Sequence, residues 1–157
     1  MLIIIEGCDG TGKTTLANML KPLLGAEIVH CTTQTPNTYD FFDAIIHASL
    51  ERNIIVDRFC YSQFAYQGEE DRPLNMHKVY PIDEHERYVE DSYEALQRLE
   101  VAMLHADVKL IYCTTTVNNI CERIYDRGEK PIPVEDILNK YEDLWKRTLI
   151  QPIRYAT

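Results

Sequence analysis

No run of 18 apolar residues occurs in this chain, and its apolar opening, Leu2 to Ile5, is cut short by Glu6 with no basic segment before it. Neither a membrane span nor a secretion signal is expected, and the protein is read as cytoplasmic. Positive charge is also scarce: 16 Lys plus Arg stand against 25 Asp plus Glu, a formal net charge of −9. No global field draws in a nucleic-acid backbone or an anionic membrane, so any phosphate must be met by local cations. The five cysteines form no C-x-x-C pair and have no histidine at ligand spacing, which excludes a disulfide framework and a zinc site and leaves reduced thiols. Repeats, low-complexity tracts and Ser/Gly linkers are absent, and 157 residues suffice for one core only, so residues 1–157 are expected to form a single domain.

The residues that are present alternate between short β-type runs and longer helical patterns, the mark of an α/β fold. Leu2 to Ile5 is a branched run suited to a strand covered on both faces, and Thr14 to Leu24 follows with helical spacing. A short strand is predicted at Glu27 to His30, a loop over Cys31 to Thr38, a helix over Tyr39 to Leu50 and a second buried strand at Asn53 to Asp57. Val89, Tyr93, Leu96, Leu99 and Met103 predict a long amphipathic helix over Asp83 to His105. Beyond it come a strand at Val108 to Cys113, a helix over Val117 to Arg127 stopped by Gly128, and a last amphipathic helix from Val134 to Trp145; Ile153 to Ala156 adds an edge strand. Three or four parallel strands with helices on both faces, a three-layer α/β/α sandwich, is the economical architecture, with ligands at the carboxyl ends of the strands.

Residues Gly7-Cys8-Asp9-Gly10-Thr11-Gly12-Lys13-Thr14 satisfy G-x-x-x-x-G-K-[ST] and hold three of the six glycines. Chance yields such a match in only about one protein in a few hundred. Standing between a predicted strand and a predicted helix, the octet is expected to be a P-loop on a P-loop NTPase fold. Gly10 and Gly12 let backbone N–H groups turn inward around phosphates, with Thr11 and Thr15 in the same cradle; Lys13 reaches the β and γ phosphates and Thr14 offers its hydroxyl to Mg²⁺. Asp57, at the end of an apolar strand, is the carboxylate expected to order the magnesium shell. A nucleotide-binding switch is the rival class, but Asn139-Lys140-Tyr141-Glu142 departs from the guanine-reading N-K-x-D element at its fourth residue and lies inside a predicted helix.

Asp57-Arg58-Phe59-Cys60-Tyr61-Ser62-Gln63-Phe64-Ala65-Tyr66-Gln67-Gly68 resembles the D-R-[YF]…S…A-[YF]-Q-G stretch of thymidylate kinases, and Glu6 to Thr15 resembles that family's E-G-x-[DE]-G-x-G-K-[ST]-T form of the P-loop. The resemblance is specific over these two segments and general elsewhere. It implies an ATP- and Mg²⁺-dependent transfer of a phosphoryl group to a nucleoside monophosphate, dTMP or a related deoxypyrimidine nucleotide. Arg58 would grip the acceptor phosphate, Asp9 would lie near the acceptor sugar hydroxyl and the metal, and Ser62, Gln63 and Tyr66 would line the acceptor pocket. A guanidinium fork fits a phosphate on physical grounds as well. The family is commonly dimeric, and the long helix from Asp83 would supply a homodimer interface.

Arg123 and Arg127 lie four apart on one helix face that runs into Gly128, Pro131 and Pro133. This looks like the lid of nucleotide kinases, about residues 123–133, whose arginines fold over the bridging phosphates. The chain departs from thymidylate kinases in a shortened stretch before Asp57, from which the family's base-reading phenylalanine and arginine normally come; Phe41 or Phe42 would supply the ring, and Arg52 points away. A deoxynucleoside, or a hydroxymethylated pyrimidine within DNA, therefore stays an alternative acceptor, although the net charge disfavours a polymer. The polar stretch Gly68 to Pro81 is expected to close over substrate, and His77 and His85 to be surface histidines.

Overall fold

A computed structural model describes residues 1–32, 34–36, 38–66, 79–81, 87–89 and 92–157. Five strands, β1 (Leu2–Glu6), β2 (Glu27–His30), β3 (Ile54–Asp57), β6 (Val108–Thr114) and β7 (Ile153–Ala156), form one sheet in the order β2-β3-β1-β6-β7, and every pairing is parallel. The sheet has more strands than the three or four expected, because the tail pairs along β6 from Ile111↔Ile153 to Thr114↔Ala156. β1 is central and buried along its whole length, as its unbroken run of branched residues requires. Alternation along β1 divides the core: Ile3 and Ile5 pack with Leu16 and Ala17 of α1 (Lys13–Leu24), and Leu2 and Ile4 pack on the opposite face.

That opposite face is covered by α2 (Tyr39–Ala48), α3 (Tyr61–Tyr66), α4 (Ser92–Leu104), α5 (Val117–Asp126) and α6 (Val134–Trp145), which contribute Phe42, Ala65, Leu96, Ile120 and Tyr141 to one continuous core. Local chemistry sets the boundaries. Thr38 caps α2 by accepting from Phe41 N at 3.2 Å, and Thr116 caps α5 by accepting from Asn119 N at 3.2 Å. No helix among the described residues is long and apolar enough to cross a membrane.

One predicted helix is shorter than its apolar spacing implied. Residues 87–89 are strand β5 (Arg87–Val89), antiparallel to β4 (Val79–Pro81) with Tyr80 opposite Tyr88, and α4 begins only at Ser92. Val89 and Tyr93 are four apart, which a helix would place on one face, but the aromatic Tyr88 and branched Val89 serve a strand equally well, and the partner at Val79–Pro81 decides between them. Gly68 to His77 and His85 lie outside the described residues. Phe42 is not available to stack on a ligand: it is fully buried, edge-on to Phe59 at 4.7 Å, because it sits on the core face of α2.

Candidate active site

The loop after β1 is shaped by glycine at three positive φ angles: Gly7 at 142°, Gly10 at 79° and Gly12 at 83°. Gly7 matters most, since a Cβ there would meet the Cys113 carbonyl oxygen at 2.5 Å, closer than any side chain can approach. Gly7→Ala is therefore expected to destabilise the fold by about 2 kcal/mol, a drop of roughly 4–8 °C in Tm for a chain of this size. An unchanged melting curve would show that β1 and β6 can part there without cost.

The loop closes on itself through Thr11, whose hydroxyl donates to Cys8 O at 2.7 Å, and through Lys13, whose Nζ donates to the same carbonyl at 2.8 Å. Burial pulls the Lys13 pKa below its ordinary value, opposed by the nearby Asp57 and Glu6 carboxylates. α1 starts directly from Gly12, so its amino-terminal amides open beside the ammonium group.

Parallel pairing carries the next residues into the same crevice. Thr14 Oγ1 donates to Asp57 Oδ2 at 2.6 Å, and His30 Nδ1 lies 3.1 Å from the same oxygen. His30 is half-exposed and reaches Asp57 because the two residues are register partners at the carboxyl ends of β2 and β3. Both strands are legible in the sequence, but their pairing is not, so no local signal marks this histidine. Cys31 follows it in the cavity wall, its thiol pushed up to about 12 by burial and by the Glu6 and Asp57 charges, and hence neutral.

Arg58 is the one non-glycine with positive φ among the described residues, at 71°. Its guanidinium pairs with the Asp9 carboxylate and lies 4.7 Å over the Tyr66 ring, while Tyr66 Oη accepts from Asp9 N at 2.8 Å. Phosphate loop, arginine and aromatic ring are thus locked together. Ser62 points the other way: its hydroxyl donates to Glu6 Oε2 at 2.6 Å, and Tyr141 Oη donates to the same oxygen at 2.9 Å. Burial raises the Glu6 pKa against these hydrogen bonds. The sequence places Glu6 at the head of the P-loop motif and Tyr141 inside the last amphipathic helix, and no local pattern marks a contact between residues so far apart.

A cavity of about 280 Å³ brings Asp9, Lys13, Thr14, Thr15, Asp57, Arg58 and Arg127 together, with His30 beside them. A second, of about 510 Å³, shares Gly10, Gly12, Thr15 and Arg127 with it and is completed by Leu16, Met19, Arg123 and Tyr155. Arg123 is tied to the loop, donating to Gly10 O at 2.9 Å and to Thr157 Oγ1 at 3.2 Å, whereas Arg127 is exposed and paired with Glu129 at 3.1 Å. Ser62, Gln63 and Tyr66 do not line the smaller cavity, although Tyr66 supports the arginine that does.

Known proteins agree with this geometry at the level of fold. The crystal structure of the YorR protein from Bacillus subtilis, in complex with phosphorylated GDP, is 21% identical with a TM-score of 0.69, covering 100% of this chain and 85% of that one. Deoxyadenosine kinase from M. mycoides with bound dCTP is 18% identical, TM-score 0.57, covering 100% and 89%. A gluconokinase from Sinorhizobium meliloti 1021 is 10% identical, TM-score 0.51, covering 98% and 81%. No curated protein matches in sequence. The parallel five-stranded sheet and its helices are the P-loop NTPase fold seen in these structures, two of them kinases. The family model described as AAA domain matches residues 1–119, a span that contains the phosphate loop, Asp57 and Arg58, and the chain belongs to that AAA domain family.

Proposed function

We propose that this chain, as a single kinase domain, transfers the γ-phosphoryl group of ATP to a nucleoside monophosphate, dTMP or a related deoxypyrimidine nucleotide. The observation that carries the reading is one cavity lined by Lys13, Thr14, Asp57 and Arg58 together. Two cationic groups from separate parts of the chain lining one small cavity suit two anionic substrates, which a one-ligand switch does not need. The D-R-F sequence at Asp57 to Phe59 and the nucleotides named with two of the similar structures, phosphorylated GDP and dCTP, support a nucleotide acceptor.

In this reading the amides from Gly10 to Thr15 and the Lys13 ammonium hold the donor phosphates, and the second cavity beside them takes the donor nucleoside. Arg58 holds the acceptor phosphate, one oxygen of which attacks the γ-phosphorus as the bond to the β-phosphate oxygen breaks. That oxygen is already anionic, so no strong base is required, and positioning with charge neutralisation provides the catalysis. Arg123 and Arg127, in the 123–133 lid, neutralise charge on the group in transit. The Thr14 hydroxyl and Asp57 carboxylate are hard oxygen donors 2.6 Å apart, a set that fits Mg²⁺. When bound, that ion would offset charge on the β and γ phosphates.

The test is ADP formation from ATP with each natural nucleoside monophosphate, each nucleoside and an oligonucleotide carrying hydroxymethylated pyrimidine. A deoxypyrimidine monophosphate is expected to raise turnover by about tenfold or more over ATP alone, and EDTA to abolish it. Stimulation by a nucleoside or the oligonucleotide alone would replace the acceptor, and stimulation by none would overturn the kinase reading.

A further inference from the structure

We propose that Glu6 is a positioning residue for the acceptor side of the site, holding Arg58 in place without touching either substrate. Glu6 is the last residue of β1, fully buried, and lines neither cavity. A carboxylate is costly to bury unless its oxygens are met by donors, and here they are met from three separate parts of the fold. Phe59 N donates to Oε1 at 2.7 Å, while Ser62 Oγ and Tyr141 Oη donate to Oε2 at 2.6 and 2.9 Å.

Each donor bears on Arg58. Phe59 is its chain neighbour, so the bond from Phe59 N fixes the peptide that follows the left-handed residue. A side-chain-bearing residue persists in that conformation only where its surroundings over-determine it, and the bonds on either side, Arg58 N to Ile5 O at 3.0 Å and Phe59 N to Glu6, do so. Ser62 lies in the first turn of α3, whose last residue is Tyr66, the ring beneath the guanidinium. Tyr141 ties α6 to the same point, and its hydroxyl also lies 3.4 Å from Gly7 O, where the phosphate loop begins. One buried carboxylate therefore sets the distance between the donor cradle and the acceptor arm. The kinetic part of this inference rests on the kinase reading above; the structural part does not.

The experiment compares Glu6→Leu, Glu6→Gln and Tyr141→Phe with the unaltered protein by crystal structure and by KM for dTMP and for ATP. Glu6→Leu leaves Phe59 N without its acceptor, so Arg58 is expected to leave the left-handed region and the KM for dTMP to rise about tenfold, with the KM for ATP within about twofold. Gln keeps an oxygen for Phe59 N and turns its amide toward two hydroxyls that can accept, so it restores both values to within about threefold. Tyr141→Phe retains the ring between Tyr112 and Trp145, at 5.2 and 5.7 Å, and serves if the leucine variant fails to fold. It is expected to raise the KM for dTMP about threefold with the KM for ATP unchanged. Equal changes in the two KM values, or an Arg58 that stays in place with an unaltered KM for dTMP, overturn the proposal. If the unaltered protein phosphorylates no monophosphate, the kinase reading falls, and the Arg58 conformation in the crystal still decides the role of Glu6.

Discussion

Lys13→Ala is expected to lower kcat for phosphoryl transfer about a thousandfold, the scale at which loss of one aligned group in a water-poor site is felt. The lysine sits buried, its ammonium donating to the Cys8 carbonyl with the Asp57 carboxylate nearby, and no other described cation lining the cavity belongs to the phosphate loop itself. Stability should change little. Cys8 O keeps the hydroxyl of Thr11 as a donor, and removing a desolvated ammonium relieves the penalty of burying it. The measurement is ADP formation at saturating ATP and acceptor, with thermal melting in parallel. An alanine variant that melts like the parent and retains more than about a tenth of its rate would remove the phosphate role of the loop lysine.

Arg58→Ala is expected to raise the KM for the acceptor about a hundredfold and to leave that for ATP within about twofold, the loss of a charge-assisted, two-pronged contact to one substrate only. Equal effects on both substrates would place the arginine on the donor instead. The backbone offers a separate check. Because Arg58 sits at φ 71°, alanine keeps the strain and glycine releases it, so Arg58→Gly should be the more stable variant by about 1 kcal/mol while losing acceptor binding equally. Melting curves of the two variants read this directly.

What the sequence made legible was local. Branched residues in Leu2 to Ile5, a glycine octet and the helical spacing after it lie within one short stretch, and the strand, loop and helix form where that spacing puts them. Asp57 could be found because it ends an apolar strand. His30 could not be paired with it, since which strands lie side by side follows from crossovers and not from any one segment. Ser62 falls at a helical spacing that allows either an open or a buried face, and only the carboxylate of Glu6 behind it settles the direction. Residues 87–89 depart from their helical spacing for the same kind of reason: the partner strand, not the segment, fixes their state.

The contact between Asp9 and Arg58 bears on selectivity. The guanidinium is already paired with a carboxylate, so if it holds the acceptor phosphate as proposed, capture would be an exchange of one anion for another, and the net gain would be the difference between them. A doubly charged terminal phosphate would win that contest by a margin that a singly charged diester or a neutral hydroxyl lacks, so under the proposed function the arrangement would screen incoming molecules by their ionisation state before any base is inspected.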